Sequence, residues 1–139
     1  VINKYRRSEN MIGSDAFNYI NILDKAADAS WTRNDVISNN IANATTPNYK
    51  RQDVKFEDVL EMELRGAKNT SLDNKVSNVS LKRLNTQVYT DSVGYSYRLD
   101  GNNVDVETEN VELAANQIKY NMLTDSINNE FKLLQTVMK

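Results

Sequence analysis

The chain has 139 residues, 17 basic and 19 acidic side chains, and a formal net charge of −2 at pH 7. That is one domain's worth of chain, with no electrostatic pull toward nucleic acid or an anionic membrane. Cys and His are both absent, which excludes disulfides, thiolate metal sites, a Cys nucleophile and an imidazole to move protons near neutral pH. Apolar residues make up 40% and mean hydropathy is −0.63, a balance that suits an elongated or assembly-dependent protein better than a compact enzyme. No apolar run approaches the ~18 residues of a membrane span. The N-terminus also lacks the apolar stretch of a secretory signal.

Residues 1–14 show no periodicity. Met11 is a natural start, and this segment reads as a disordered extension outside the fold. From Asp15 to Ala44 the pattern is helical, with Ser14 or Asp15 as N-cap. Ile20, Leu23, Ala27, Ser30, Asn34, Ile37, Ile41 and Ala44 recur at alternating three- and four-residue spacings. That is a heptad seam, and its small or polar centre associates weakly unless its partner is prescribed. The helix must end before Pro47, because the residue preceding proline is pushed out of the α region.

In residues 50–65, Phe56, Val59, Leu60 and Glu63 can share one face of a short helix. The carboxylates Glu57, Asp58, Glu61 and Glu63 read as a solvated helix face. Residues 66–80 are polar and aperiodic, the pattern of a flexible loop. Thr86–Thr90 and Gly94–Leu99 alternate in polarity, and Asp91–Gly94 would join them as a small hairpin. Tyr89, Tyr95 and Tyr97 have no basic patch beside them, so strand packing explains them better than base stacking.

The second long helix runs from Val106 to Met138, with Asp105 as N-cap and Glu107 and Glu109 at the positive end of its dipole. Its seam is Val106, Asn110, Leu113, Gln117, Tyr120, Thr124, Ile127, Phe131, Leu134 and Met138. At about 1.5 Å per residue, each terminal helix is roughly 45–50 Å long. The pattern therefore predicts a mainly α fold: two long antiparallel terminal helices in a coiled-coil-like pair, with a hairpin and irregular loops between them. So thin a core should leave Ile22, Trp31, Val36, Met122 and Leu123 exposed beside the seam for neighbours to bury. A dilute monomer should then have mobile termini and little stable coiled coil.

Two stretches flank these helices. In the first, Asn39, Asn40 and Asn43 can hydrogen-bond backbone groups where a helix unwinds, and Pro47 fixes the turn, as an ordinary helix C-terminus requires. The whole string, Ser38-Asn39-Asn40-Ile41-Ala42-Asn43-Ala44-Thr45-Thr46-Pro47-Asn48-Tyr49-Lys50, resembles the signature of the flagellar axial proteins, Ser-Asn-Asn-Ile-Ala-Asn-x-x-Thr-Pro-Gly-Tyr-Lys. It departs at Asn48, where that family usually has Gly. Asn is the non-glycine residue best able to adopt φ > 0, so the turn should survive.

The second stretch, Leu99-Asp100-Gly101-Asn102-Asn103-Val104-Asp105, offers acidic and amide oxygens. It lacks the ligand order and distal Glu of an EF-hand loop, so the plainer reading is a turn and cap. Continued by Glu112–Tyr120, it resembles the segment before the last helix of proximal-rod subunits, and sets the chain apart from the paralogous rod protein FlgC. Phe56-Glu57-Asp58-Val59-Leu60 loosely resembles the Phe-x-x-x-apolar export-gate motif of early flagellar substrates, with Phe56 and Leu60 as its anchors. Its plainer reading is a packed helix turn. The sequons at Asn43, Asn69 and Asn78 arise by chance in an Asn-rich chain.

The resemblance implies a structural, non-enzymatic subunit of the flagellar basal-body proximal rod, with no cofactor. Such a subunit assembles through its terminal helices and transmits torque from the membrane ring to the distal rod and hook. It is exported by the flagellar type III apparatus without a cleaved signal, to a place outside the cytoplasmic membrane. Its implied partners are copies of itself, FlgC, the rod-base adaptor FliE and the membrane-ring protein, with no nucleic acid and no small-molecule substrate. Heptads alone would also allow a cytoplasmic coiled-coil adaptor, which explains neither flanking stretch.

Overall fold

The computed structural model describes the backbone of residues 2–65, 71–91 and 98–138, and the side chains of that set from Phe17 onward. The elements are α1 (Ile2–Ala42), β1 (Gln52–Lys55), α2 (Glu57–Arg65), α3 (Leu72–Ser77), β2 (Gln87–Thr90) and α4 (Val106–Val137). The fold is mainly α, with the two long terminal helices packed on each other and a two-stranded antiparallel sheet between them in sequence. The helices run antiparallel: Asn40 meets Glu109, and Ser30, earlier on α1, meets Asn116, later on α4.

Helix α1 is continuous from Ile2, where the lack of periodicity over 1–14 suggests disorder and a start at Ser14 or Asp15. Extending an existing helix needs no new nucleus, and the single Gly13 costs only about 1 kcal/mol. At its other end the helix tightens into shorter turns, with Ala44 N donating to Ile41 O at 3.2 Å and Thr46 N to Asn43 O at 3.0 Å.

The main apolar cluster lies to one side of the helix pair, whose own seam also buries Ile20, Ala27 and Ile37 of α1. Ala26, Ala29 and Val36 of α1 pack with Val54, Phe56, Val79 and Leu84, and Ile22, Val59, Leu60, Leu64, Leu81 and Leu123 lean on that cluster. Trp31 and Met122 are exposed, as the two-helix picture expects, but Val36 is buried and Ile22 and Leu123 are covered. The reason is that the segment between the long helices folds back over the flank of α1, which the seam pattern alone leaves bare.

One further expectation is corrected. Within the predicted loop at 66–80, Ser71 caps α3 by accepting from Asn74 N, and Val76 and Val79 bury their side chains. Two valines three residues apart on a capped turn suffice to dock a segment that is otherwise polar. Residues 66–70 lie outside the described set. Strand β2 forms as expected, but its partner in the described sheet is β1, with Val54 opposite Val88 and Asp53 opposite Tyr89. The predicted second strand falls largely on residues 92–97, which are not described; Leu99 beyond them is exposed.

The seam of α4 is also shifted. Its most shielded positions are Glu109, Leu113, Asn116, Tyr120, Leu123, Ile127, Glu130 and Leu134, still at four–three spacing, alongside a half-buried Thr124. The predicted phase shares Leu113, Tyr120, Ile127 and Leu134 with this set. It errs at Val106, Asn110, Gln117, Phe131 and Met138, which are exposed. On α1, Ile20, Ala27, Ser30 and Ile37 are buried, as is Ala44 just beyond it, while Leu23, Asn34 and Ile41 are half-buried. The α4 phase misleads because Glu109 and Asn116, polar and fully paired across the seam, take places that a hydrophobic pattern gives to apolar residues.

Leu84 is 0% and Phe131 47% exposed. Leu84→Ala is therefore expected to cost about 3 kcal/mol in urea unfolding, and Phe131→Ala less than about 1 kcal/mol. Equal losses would contradict this placement of the core.

Candidate functional site

Beyond α1 the chain reverses through Thr45–Lys50 and must place β1 beside the helix it has just left. Asn40, fully buried on the last turn of α1, makes that join. Its Nδ2 donates to Gln52 O at 2.8 Å and to Glu109 Oε2 at 2.9 Å. Its Oδ1 accepts from Gln52 N at 3.0 Å and from the Tyr49 phenol at 3.2 Å. All four valences of the amide are thereby used. Toward Gln52 it bonds as a neighbouring strand's peptide group would. Asn103 does the same one residue earlier, accepting from Arg51 N at 2.7 Å and donating to Asp91 O at 2.9 Å.

Asn102 closes the end of α1. Fully buried, it donates through Nδ2 to the carbonyls of Asn43 (2.9 Å), Ala44 (3.1 Å) and Thr46 (2.9 Å), and its Oδ1 accepts from Val104 N at 2.7 Å. Arg98 Nη1 also donates to Ala44 O, at 2.9 Å. A residue nearly sixty positions away thus supplies the cap that a local glycine motif would give. Asn48 has φ 60° and its N–H donates to Asp100 O at 2.8 Å, which bears out the expected left-handed turn. Gly101 faces it with φ 71°, and a Cβ there would lie 2.8 Å from Asn48 Oδ1. Lys50 Nζ donates to Gly101 O at 2.5 Å.

Charge reinforces the join. Arg51 Nε donates to Glu109 Oε1 at 2.5 Å, and its guanidinium also meets Asp53 at 3.2 Å and Asp91 at 3.7 Å. Burial alone would lower the Arg51 pKa, but the bond and charge of Glu109 outweigh it and raise the value. Burial, with Glu109 adding to it, pushes the Tyr49 phenol up. Further along, Arg33 pairs with Glu57 at 2.6 Å and Asp53 at 3.7 Å, and Lys119 reaches the same Glu57 carboxylate from α4. The Arg33 hydrogen bond holds Glu57 down at about 2. In the middle of the seam Ser30 Oγ donates to Asn116 Oδ1 at 2.9 Å, and Asn116 Nδ2 donates to Ser30 O at 2.8 Å.

The residues of the two flanking stretches therefore meet in space. Asn40, Asn43, Thr46, Tyr49 and Lys50 contact Gly101, Asn102 or Glu109 directly or through Asn40, while Ser38, Asn39, Ala42 and Pro47 are exposed or serve the turn and Ile41 is half-buried. Val104 is buried, and Asp105 caps α4 by accepting from Glu107 N at 3.0 Å and from Thr108 Oγ1 at 2.8 Å. Those two bonds lower the Asp105 pKa, that of Thr108 more. The oxygens of Asp100 already accept from Asn102 N and Arg98, so this loop is occupied as a cap. Phe56 is buried in the core and Leu60 leans on it, as in a packed helix turn. Arg33, Arg51, Glu57, Glu109, Asn116 and Lys119 escape sequence reasoning, and Glu57 is no simple solvated carboxylate. A polar residue at a four–three position, such as Glu109 or Asn116, is the signal that could have found two of them.

The opposite side of α4 is apolar and open. Val111, Ala115, Ile118 and Met122 line it at four–three–four spacing, all exposed. Ile118, Met122 and Leu123 border a shallow groove with Ala115, Lys119 and Ser126. Trp31, exposed, sits 6.0 Å from the Tyr120 ring at 52°. No group of three or more metal-ligating side chains exists among the described residues.

The family model described as "Flagella basal body rod protein" matches residues 20–50, which include the first flanking stretch. Relatives align over most of the chain. The flagellar basal body rod protein FlgB of Bacillus subtilis (strain 168) is 38% identical over 116 residues, 84% of this chain and 89% of the relative. FlgB of Borrelia hermsii is 31% identical over 86% of this chain and 95% of the relative. FlgB of Escherichia coli (strain K12) is 27% identical over 77% and 83%.

Asn40→Asp keeps the acceptor but points an oxygen at Gln52 O and Glu109. It should cost about 3 kcal/mol or more in urea unfolding at neutral pH, against a small effect for Asn39→Asp on the exposed side. Glu57 has its pKa lowered from 4.5 to about 2. Its contribution is fully present above the higher value and is lost as pH falls to the lower one. Urea midpoints measured across that window should fall less steeply for Glu57→Gln than for the wild type; identical slopes would remove Glu57 from the account.

Proposed function

The chain belongs to the flagella basal body rod protein family, and on that premise we propose that it builds the proximal rod and passes torque from the membrane ring to the distal rod and hook. The family is structural and non-enzymatic. The pre-helix stretch and the FlgB relatives favour the FlgB position over the paralogous FlgC.

The observation that carries the reading is the open stripe of Val111, Ala115, Ile118 and Met122 on a helix pair whose other side is locked by the two motif stretches. The lock sets the phase of α4 against α1, so the stripe is presented at a fixed angle. Neighbouring subunits that bury it gain about 25 cal/mol per Å² of apolar surface, enough to offset the ordering of the helix ends. Those neighbours are copies of this chain, FlgC, FliE and the membrane-ring protein. Export through the flagellar type III apparatus would bring the chain outside the cytoplasmic membrane. If Phe56 and Leu60 are the gate motif, recognition needs an unfolded chain, since Phe56 is buried.

Deleting the gene should arrest assembly at the membrane ring, and normal hooks and filaments in that strain would end the rod assignment. Ile118→Asp with Met122→Asp should keep the far-UV circular dichroism of the isolated chain yet fail to restore hooks. A closed dimer or trimer in ultracentrifugation, indifferent to flagellar partners, would favour a coiled-coil adaptor instead.

A further inference from the structure

The chain has four glycines, and only Gly101 follows an Asp or an Asn. The fold calls for both members of the Asp100–Gly101 pair. Gly101 has φ 71°, and a Cβ there would lie 2.8 Å from Asn48 Oδ1, so the position disfavours any side chain. Asp100 ties the turn together: its Oδ1 accepts from Asn102 N at 3.1 Å and its Oδ2 from Arg98 Nη2 at 2.7 Å. Its main-chain oxygen accepts from Asn48 N at 2.8 Å. An aspartyl–glycyl pair is also chemically vulnerable, because no Cβ hinders the glycine nitrogen from reaching the preceding carboxyl carbon.

We propose that Asp100 is a covalent modification site, at which the unfolded chain isomerises to isoaspartate and the closed cap of α1 slows that reaction. Gly101 N bonds to Asp100 Cγ and gives up its proton, and one carboxyl oxygen leaves as water, which yields a succinimide. Water then adds back at either carbonyl. When it cleaves the bond from Gly101 N to the original main-chain carbon, the backbone runs through Cβ and Cγ and that carbon becomes a free carboxylate. The folded turn opposes ring closure at each point. The Gly101 N–H is engaged with Arg98 O at 3.1 Å, and both carboxylate oxygens are held. The Asn102 N–H bond chiefly, with Arg98 adding to it, lowers the Asp100 pKa, which leaves less of the neutral acid that loses water readily. The product cannot rebuild the cap. Its main chain is one carbon longer just before Asn102, whose amide must meet the carbonyls of Asn43, Ala44 and Thr46 together. A chain that waits unfolded therefore ages into a form that cannot close the end of α1. This is a property of the chain itself and does not depend on the rod reading.

Peptide mapping of the full chain in water labelled with heavy oxygen tests this, since each passage through the succinimide leaves label in Asp100. Labelling there should be at least about 10-fold slower in the native chain than in guanidinium chloride at the same pH, because ring closure then requires local opening. A peptide spanning residues 98–104, measured in both solvents, corrects for the denaturant itself. Arg98→Ala should speed labelling of the native chain and leave the unfolded rate unchanged. The isoaspartyl chain, separated and refolded, should unfold at lower denaturant than the original. Equal corrected rates in the native and unfolded chains, or an isoaspartyl chain as stable as the original, would overturn the proposal. The wild-type comparison decides even if the variant does not fold.

Discussion

A buried primary amide has two donors and two acceptor positions, and in a dry interior each must find a partner or be costly. Asn40 satisfies this demand only when three separate pieces of chain are in place at once: the turn at Tyr49, the strand at Gln52 and the first turn of α4 at Glu109. Moving any one leaves a buried group unpaired. The reversal after α1, the start of the sheet and the phase of α4 are therefore set together. Asn102 imposes the same condition from the other side, since its amide has no comparable use away from the carbonyls at the end of α1.

A polar seam of this kind selects one arrangement more than it stabilises it. Buried ionic and amide groups offset their own desolvation with little to spare, and their best attested role is to fix register. The division of labour here follows that logic. Apolar packing sits between α1 and the middle segment, where Leu84 and Phe56 are buried. The helix pair carries Ser30, Asn116, Asn40 and Glu109 beside the buried Ile20, Ala27 and Ile37 of α1. A rod subunit needs a defined angle between its helices and an outer face left free, and a specific but modest seam supplies both.

Much of this was legible in the sequence. The two long helices, the cap at Asp105, the end of α1 before Pro47 and the left-handed turn at Asn48 all follow from local rules, because each is decided by neighbours within a few residues. The motif stretches could be recognised, but their meeting could not be derived: Asn102 and Asn43 are 59 positions apart, and no local pattern states which carbonyls an asparagine will cap. Strand β1 was missed for the same reason, as its first residue, Gln52, is satisfied by the distant side chain Asn40 and its ladder partner is the distant β2. The α4 seam was misphased at Val106, Asn110, Gln117, Phe131 and Met138 because hydrophobicity cannot tell a solvated Glu109 from one held by Arg51. The helix α3 was hidden by polar composition, although Ser71 and the pair Val76 and Val79 carried a faint signal.

The lock between the chain ends is most directly tested by a double-mutant cycle on Asn40→Ala and Glu109→Ala, read by urea unfolding of the two single variants and the double variant. Removing either partner strands the other, so the losses should fail to add, with a coupling of about 1.5 kcal/mol or more. Additive losses, agreeing within about 0.5 kcal/mol, would mean that the two residues do not act through one another and would contradict the account.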